Sequence, residues 1–76
     1  MDFYEEQKQA LRELDSIVKK NIIEKRKKYN VDILVIELTN SFSISEKRLR
    51  DRITAYMRIY PQLRIINGEL SNIEVK

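Results

Sequence analysis

Residues 46–60 carry five cations, Lys47, Arg48, Arg50, Arg52 and Arg58, against two acids, Glu46 and Asp51. A guanidinium donates in a fixed fork that fits phosphate oxygens and the O6 and N7 atoms of guanine, and an ammonium acts as a point charge. Asp51 can accept from a cytosine amino group or orient Lys47 or Arg50 as an ion pair. Ser45 can give its hydroxyl to a phosphate or cap a helix, and the two roles are compatible. A second basic block, Lys25, Arg26, Lys27 and Lys28, lies earlier in the chain.

Charge is unevenly spread. Residues 1–15 carry five acids and two bases, a net of −3, while 16–30 carry six bases and one acid, a net of +5. Residues 46–60 carry a net of +3, and the whole 76-residue chain is also only +3. Two basic blocks separated by a nearly neutral apolar stretch point to a polyanionic partner. The plain alternative is a pair of solvated helix faces.

Covalent chemistry has little to work with. The chain has no His, no Cys and a single Gly. No nucleophile–base pair, phosphate-cradling loop or dinucleotide fingerprint follows from that composition. No catalytic residue, cofactor, metal ligand or small-molecule pocket is expected. Glu5, Glu6, Glu13 and Asp15 share one helix instead of converging. Tyr56 and Tyr60 stand at helical spacing and read as core residues.

The elements that position these groups can be drawn from periodicity. Residues 1–30 read as one long helix, with Asp2 and Glu5 as a capping box, acids first and Lys25 to Lys28 last. Phe3, Leu11, Leu14, Ile17, Val18, Ile22 and Tyr29 give it an apolar face. Such a helix is roughly 40 Å long and should overhang a domain this small. Phe3, Leu11, Leu14 and Val18 are then expected to be covered by a second copy, a homodimer. A break near Asn21 is the alternative.

Residues 31–36 are apolar and β-branched, and a helix over 33–41 is favoured, with Asp32 as a cap; a short edge strand at 31–33 is the rival. A turn follows at 42–45. Ser45 caps a helix over 46–60, with Ile44 and Leu49 as a hydrophobic staple; Ser43 with Glu46 is a rival capping pair. Leu49, Ile53, Tyr56, Met57 and Tyr60 form its buried face. Asn67-Gly68 marks a hairpin with strands near 63–66 and 69–75; a turn shifted to Gly68–Asn72 is the rival, because residues 69–72 do not alternate well.

Helix, helix, turn, helix, hairpin resembles the winged helix-turn-helix family. Within 36–53, Leu38 matches a core Leu, Thr39 the small position, and Phe42 the Leu before the turn. Ile44-Ser45 matches the opening of the recognition helix, and Leu49 and Ile53 its buried positions. The family usually has Gly in the turn, where Ser43 stands here; a left-handed Ser would cost about 1 kcal/mol.

The resemblance implies a mostly α fold with a small β-hairpin (α+β), residues 1–30 serving dimerisation and 31–76 forming the winged helix. It implies sequence-specific double-stranded DNA binding and a role as a transcriptional regulator. Lys47, Arg48, Arg50, Asp51 and Thr54 would meet base edges, with Ser45, Arg52 and Arg58 beside them. Arg64, Asn67 and Lys76 would act from the wing, and Lys25, Lys27 and Lys28 on flanking phosphates. The acidic wing tip, Asn67-Gly68-Glu69, speaks against deep insertion. Winged helices also serve as protein-docking modules in larger assemblies, and that is the second reading. No apolar run suffices for a bilayer and no signal-peptide pattern precedes the first helix, so a cytoplasmic protein is expected. High Ile, Lys, Arg and Glu is compatible with a thermophile.

Overall fold

A computed structural model describes residues 3–74. The expected cap at Asp2, the end of the last strand at Val75 and the contact at Lys76 lie outside the described residues. The described residues form three α-helices and a three-stranded antiparallel sheet, an α+β arrangement. In order, these are α1 (Phe3–Ser16), a π-helical continuation (Ile17–Glu24), β1 (Tyr29–Asn30), α2 (Val31–Ser41), α3 (Glu46–Ile59), β2 (Leu63–Ile66) and β3 (Glu69–Asn72).

The first helix does not run to residue 30 as a regular α-helix. Its buried stripe is Ala10, Leu14, Val18 and Ile22, each fully buried and each four residues from the last. In an α-helix every four-residue step overshoots a full turn by about 40°. The wider π coil, with its i→i+5 bonds, turns less per residue and offsets that drift. The Lys25 N–H still donates to the Lys20 carbonyl across five residues, at 3.2 Å. Helix then gives way to an irregular segment in which Arg26 has φ 58°.

Leu14 and Val18 correct an expectation. Both are fully buried by the single chain, in one cluster with Leu34, Val35, Leu38, Leu49, Ile53, Leu63 and Leu70. Their burial needs no second copy. Leu11 is partly buried against the same cluster. Among the described residues the front of α1 is left uncovered, with Phe3 61% and Tyr4 64% exposed. The molecule is accordingly long, 43 × 20 × 19 Å.

The helix expected from residue 33 starts two residues earlier. Asn30, not Asp32, caps it: the Asn30 side-chain oxygen accepts from the Ile33 N–H at 3.0 Å. Asn30 is also the last residue of β1, so one residue ends a strand and opens a helix.

The turn at 42–45 has no left-handed residue; among the described non-glycine residues only Arg26 and Asn67 have positive φ. The Ile44 N–H donates to the Phe42 carbonyl at 2.9 Å, which closes an inverse γ-turn around Ser43. The missing glycine therefore costs nothing here. Ser45 caps α3, its hydroxyl oxygen accepting from the Arg48 N–H at 3.2 Å. Ile44 and Leu49 share the buried core on either side of that cap.

The sheet order is β1-β3-β2. In the hairpin Leu63 faces Asn72 and Ile66 faces Glu69 across the two-residue turn. Asn67 at φ 53° and Gly68 at φ 79° supply the left-handed pair that a type I′ turn requires. β3 ends at Asn72, short of the expected residue 75. Its other edge pairs with β1, Tyr29 opposite Leu70. The Val31 N–H donates to the Gly68 carbonyl at 2.9 Å and ties the hairpin turn to the start of α2.

Candidate nucleic-acid interface

α3 is held by Leu49, Ile53 and Tyr56, all buried, with Met57 and Tyr60 packed alongside. Tyr56 and Tyr60 lie stacked at 6.4 Å between ring centroids on this inner side. At about 100° per residue, Lys47, Asp51 and Arg58 fall opposite that stripe. All three are exposed, as are Arg48 and Thr54. The residues expected to face a ligand thus fall into two groups, an outer face and two flanks.

The flanks are braced. Arg50 leans toward α2 and pairs with Asp32 at 2.7 Å and with Glu46 at 2.9 Å. Its hydrogen bond to Asp32 first, and that to Glu46 second, hold the guanidinium above its ordinary pKa. Arg52 leans toward α1 and approaches Asp15 at 3.5 Å. Its guanidinium also lies 5.7 Å from the centre of the Tyr56 ring and its Nε donates to the Tyr56 hydroxyl at 3.4 Å. The second oxygen of Asp15, Oδ1, is buried and accepts no hydrogen bond. Both arginines therefore bridge α3 to a neighbouring helix.

On the outer face Lys47 pairs with Asp51 at 2.8 Å, and both side chains are mostly in solvent. The hydrogen bond that Lys47 donates to Asp51, then the charge of that carboxylate, hold the Lys47 ammonium above its ordinary pKa. The Thr54 hydroxyl donates to the Arg50 carbonyl at 3.1 Å, leaving its oxygen free to accept. The exposed surface of α3 thus presents Lys47, Arg48, Asp51, Thr54 and Arg58. Beside it, an open groove runs between α3 and α1, lined by Leu11, Arg48, Asp51, Arg52 and Ala55.

The other expected contacts are dispersed. Arg64 donates to the carbonyls of Pro61 and Leu63, which folds its head onto the base of the hairpin. Asn67 is exposed at the hairpin tip. Lys25, Lys27 and Lys28 are exposed on the irregular segment after the π-helix. Arg26, in their midst, donates instead to the carbonyls of Asn72 and Glu74.

Sequence reasoning missed the counterions Asp32 and Asp15. They stand 18 and 37 residues from the arginines they hold, a separation that no local spacing signals. It also missed the exposed apolar pairs Ile33 with Ile36 on α2, and Ile65 with Ile66 on β2. Their β-branched runs read equally well as core. Among the described residues no group of acids could hold a metal ion, and no helix is long and apolar enough to cross a membrane. Compared with known proteins, the chain matches no family model, no curated protein and no solved structure.

Proposed function

We propose that this chain is a winged helix-turn-helix protein that binds double-stranded DNA with α3 in the major groove, as a transcriptional regulator. The observation that carries this reading is the seating of α3. It is anchored by Leu49, Ile53 and Tyr56 and capped by Ser45 after a four-residue turn, while Lys47, Arg48, Thr54 and Arg58 stand in solvent on its outer side. A helix about 10–12 Å across fits a groove about 12 Å wide. The succession of α2, turn, α3 and a hairpin closed by a third strand supports the same family. Lys25, Lys27 and Lys28 would add contacts to flanking phosphates.

Two copies paired through the front of α1 would present two reading helices. Phe3 and Tyr4, with the partly buried Leu11, are the side chains for that contact, and the pairing would set the half-site spacing. The test is a duplex titration by fluorescence anisotropy at several salt concentrations. Affinity should fall linearly on a log–log plot as counterions are released. Absence of duplex binding at low salt refutes the proposal.

A protein-docking module is the second reading. The exposed Ile33 and Ile36 on α2 and the bracing of Arg50 and Arg52 by intramolecular acids favour it. A stoichiometric protein partner, together with no duplex affinity, would decide for it.

A further inference from the structure

An acid at the centre of a surface meant for a polyanion calls for an explanation. Asp51 lies opposite the buried stripe of α3, and its carboxylate is held by Lys47 at 2.8 Å. Arg58 and Thr54 lie on the same outer side. Arg50 and Arg52, the usual candidates for reading guanine, are drawn to the flanks by Asp32 and Asp15. The centre of the face therefore pairs one acceptor-only group with one donor-only group, one helical turn apart.

We infer that the Lys47–Asp51 pair is the base-discriminating element of this face and that it selects a C·G base pair. The inference rests on the duplex-binding reading above. In the major groove cytosine offers an N4 amino donor, and guanine offers the O6 and N7 acceptors. Asp51 accepts from the cytosine amino group. Lys47 uses one of its three N–H donors on Asp51 and has two left for the guanine of the same pair.

Other base pairs fit less well. Thymine or guanine beneath Asp51 sets an acceptor against a carboxylate. Adenine has an amino donor, but its adjacent N7 acceptor repels the carboxylate. A phosphate beneath Asp51 is repelled outright. Asp51 thus gives up general affinity for discrimination, as a repulsive element in a specific interface does. Arg48 and Arg58 supply the attraction to the backbone that offsets it.

Asp51 and Lys47 are both mostly solvent-exposed, so substitutions there leave the core untouched. The test selects bound members from a duplex library with a randomised centre, using the full chain, Asp51→Asn, Asp51→Ala and Arg50→Ala. The unsubstituted chain should enrich C·G at one position of its site. Both Asp51 variants should lose roughly tenfold of that preference and bind random duplex severalfold more tightly. Arg50→Ala should leave the preference at that position in place. An unsubstituted chain that retains no duplex at low salt overturns the duplex reading, and this inference with it. Duplex binding with the same base preference in the Asp51 variants overturns the inference alone. Loss of affinity with unchanged preference would likewise show Asp51 to be a strut and not a reader.

Discussion

The two basic blocks look alike in sequence and differ in how the chain holds them. Lys25 to Lys28 follow the π-helix on an irregular segment, where backbone conformation decides each side chain's direction. Arg26, at φ 58°, is turned back onto the end of the hairpin, while its lysine neighbours face solvent. The cations of residues 47–58 stand on a regular helix, where phase decides. Lys47 and Arg58 face outward, and Arg50 and Arg52 are tilted into acids on neighbouring helices. A count of charges in a window therefore says little about how many are free to meet a ligand.

Substitutions can break this contrast. The largest effect should come from removing the seat of the ordered block. Leu49→Ala should lower stability by about 3 kcal/mol in urea unfolding, because Leu49 is fully buried beneath α3. Lys27→Ala, in the irregular block, should leave stability unchanged. A Leu49 variant as stable as the parent would mean that α3 is not anchored there.

Arg26 separates backbone strain from side-chain bonding. Arg26→Ala keeps the left-handed conformation and loses the bonds to the Asn72 and Glu74 carbonyls. Arg26→Gly loses the same bonds and relieves the conformation. The glycine variant should therefore be more stable than the alanine variant by about 1 kcal/mol. Equal stabilities would mean that the irregular block does not depend on that φ.

Ser45→Ala should cost about 1 kcal/mol through the lost cap on α3, and Ser45→Asp should largely retain it. Thermal or urea unfolding of the two variants gives the comparison.

The smallest effect concerns pH. Asp51 raises the Lys47 pKa. A raised pKa means that the contribution is fully present below the ordinary lysine value and is lost as pH rises through the folded value. Both groups are exposed, so global stability should barely move. An NMR titration of the Lys47 side chain should show the raised midpoint, and Asp51→Asn should return it to the ordinary lysine value.

Much of the α3 region is readable because its signals are local. Ser45, Ile44 and Leu49 lie within five residues of one another and fix the start of the helix. Asn67-Gly68 fixes the hairpin turn through two backbone angles. Other features have no local signal. β1 is two residues long, too short for any alternation, and its partner Leu70 lies 41 positions away. The γ-turn at Ser43 asks for no special residue and so leaves no trace in composition. The π-helical stretch leaves none either, since Leu14, Val18 and Ile22 stand at a spacing that any amphipathic α-helix shares. The bracing of Arg50 and Arg52 depends on tertiary approach alone, and it alters which candidate contacts stand free.

The outer face of α3 is the surface proposed to meet DNA. Backbone amide shifts recorded while a duplex is titrated into the labelled protein test it residue by residue. The largest changes should fall on residues 47, 48, 51, 54 and 58, with smaller ones at 25–28. No change, or change concentrated around Ile33 and Ile36 on α2, would contradict it.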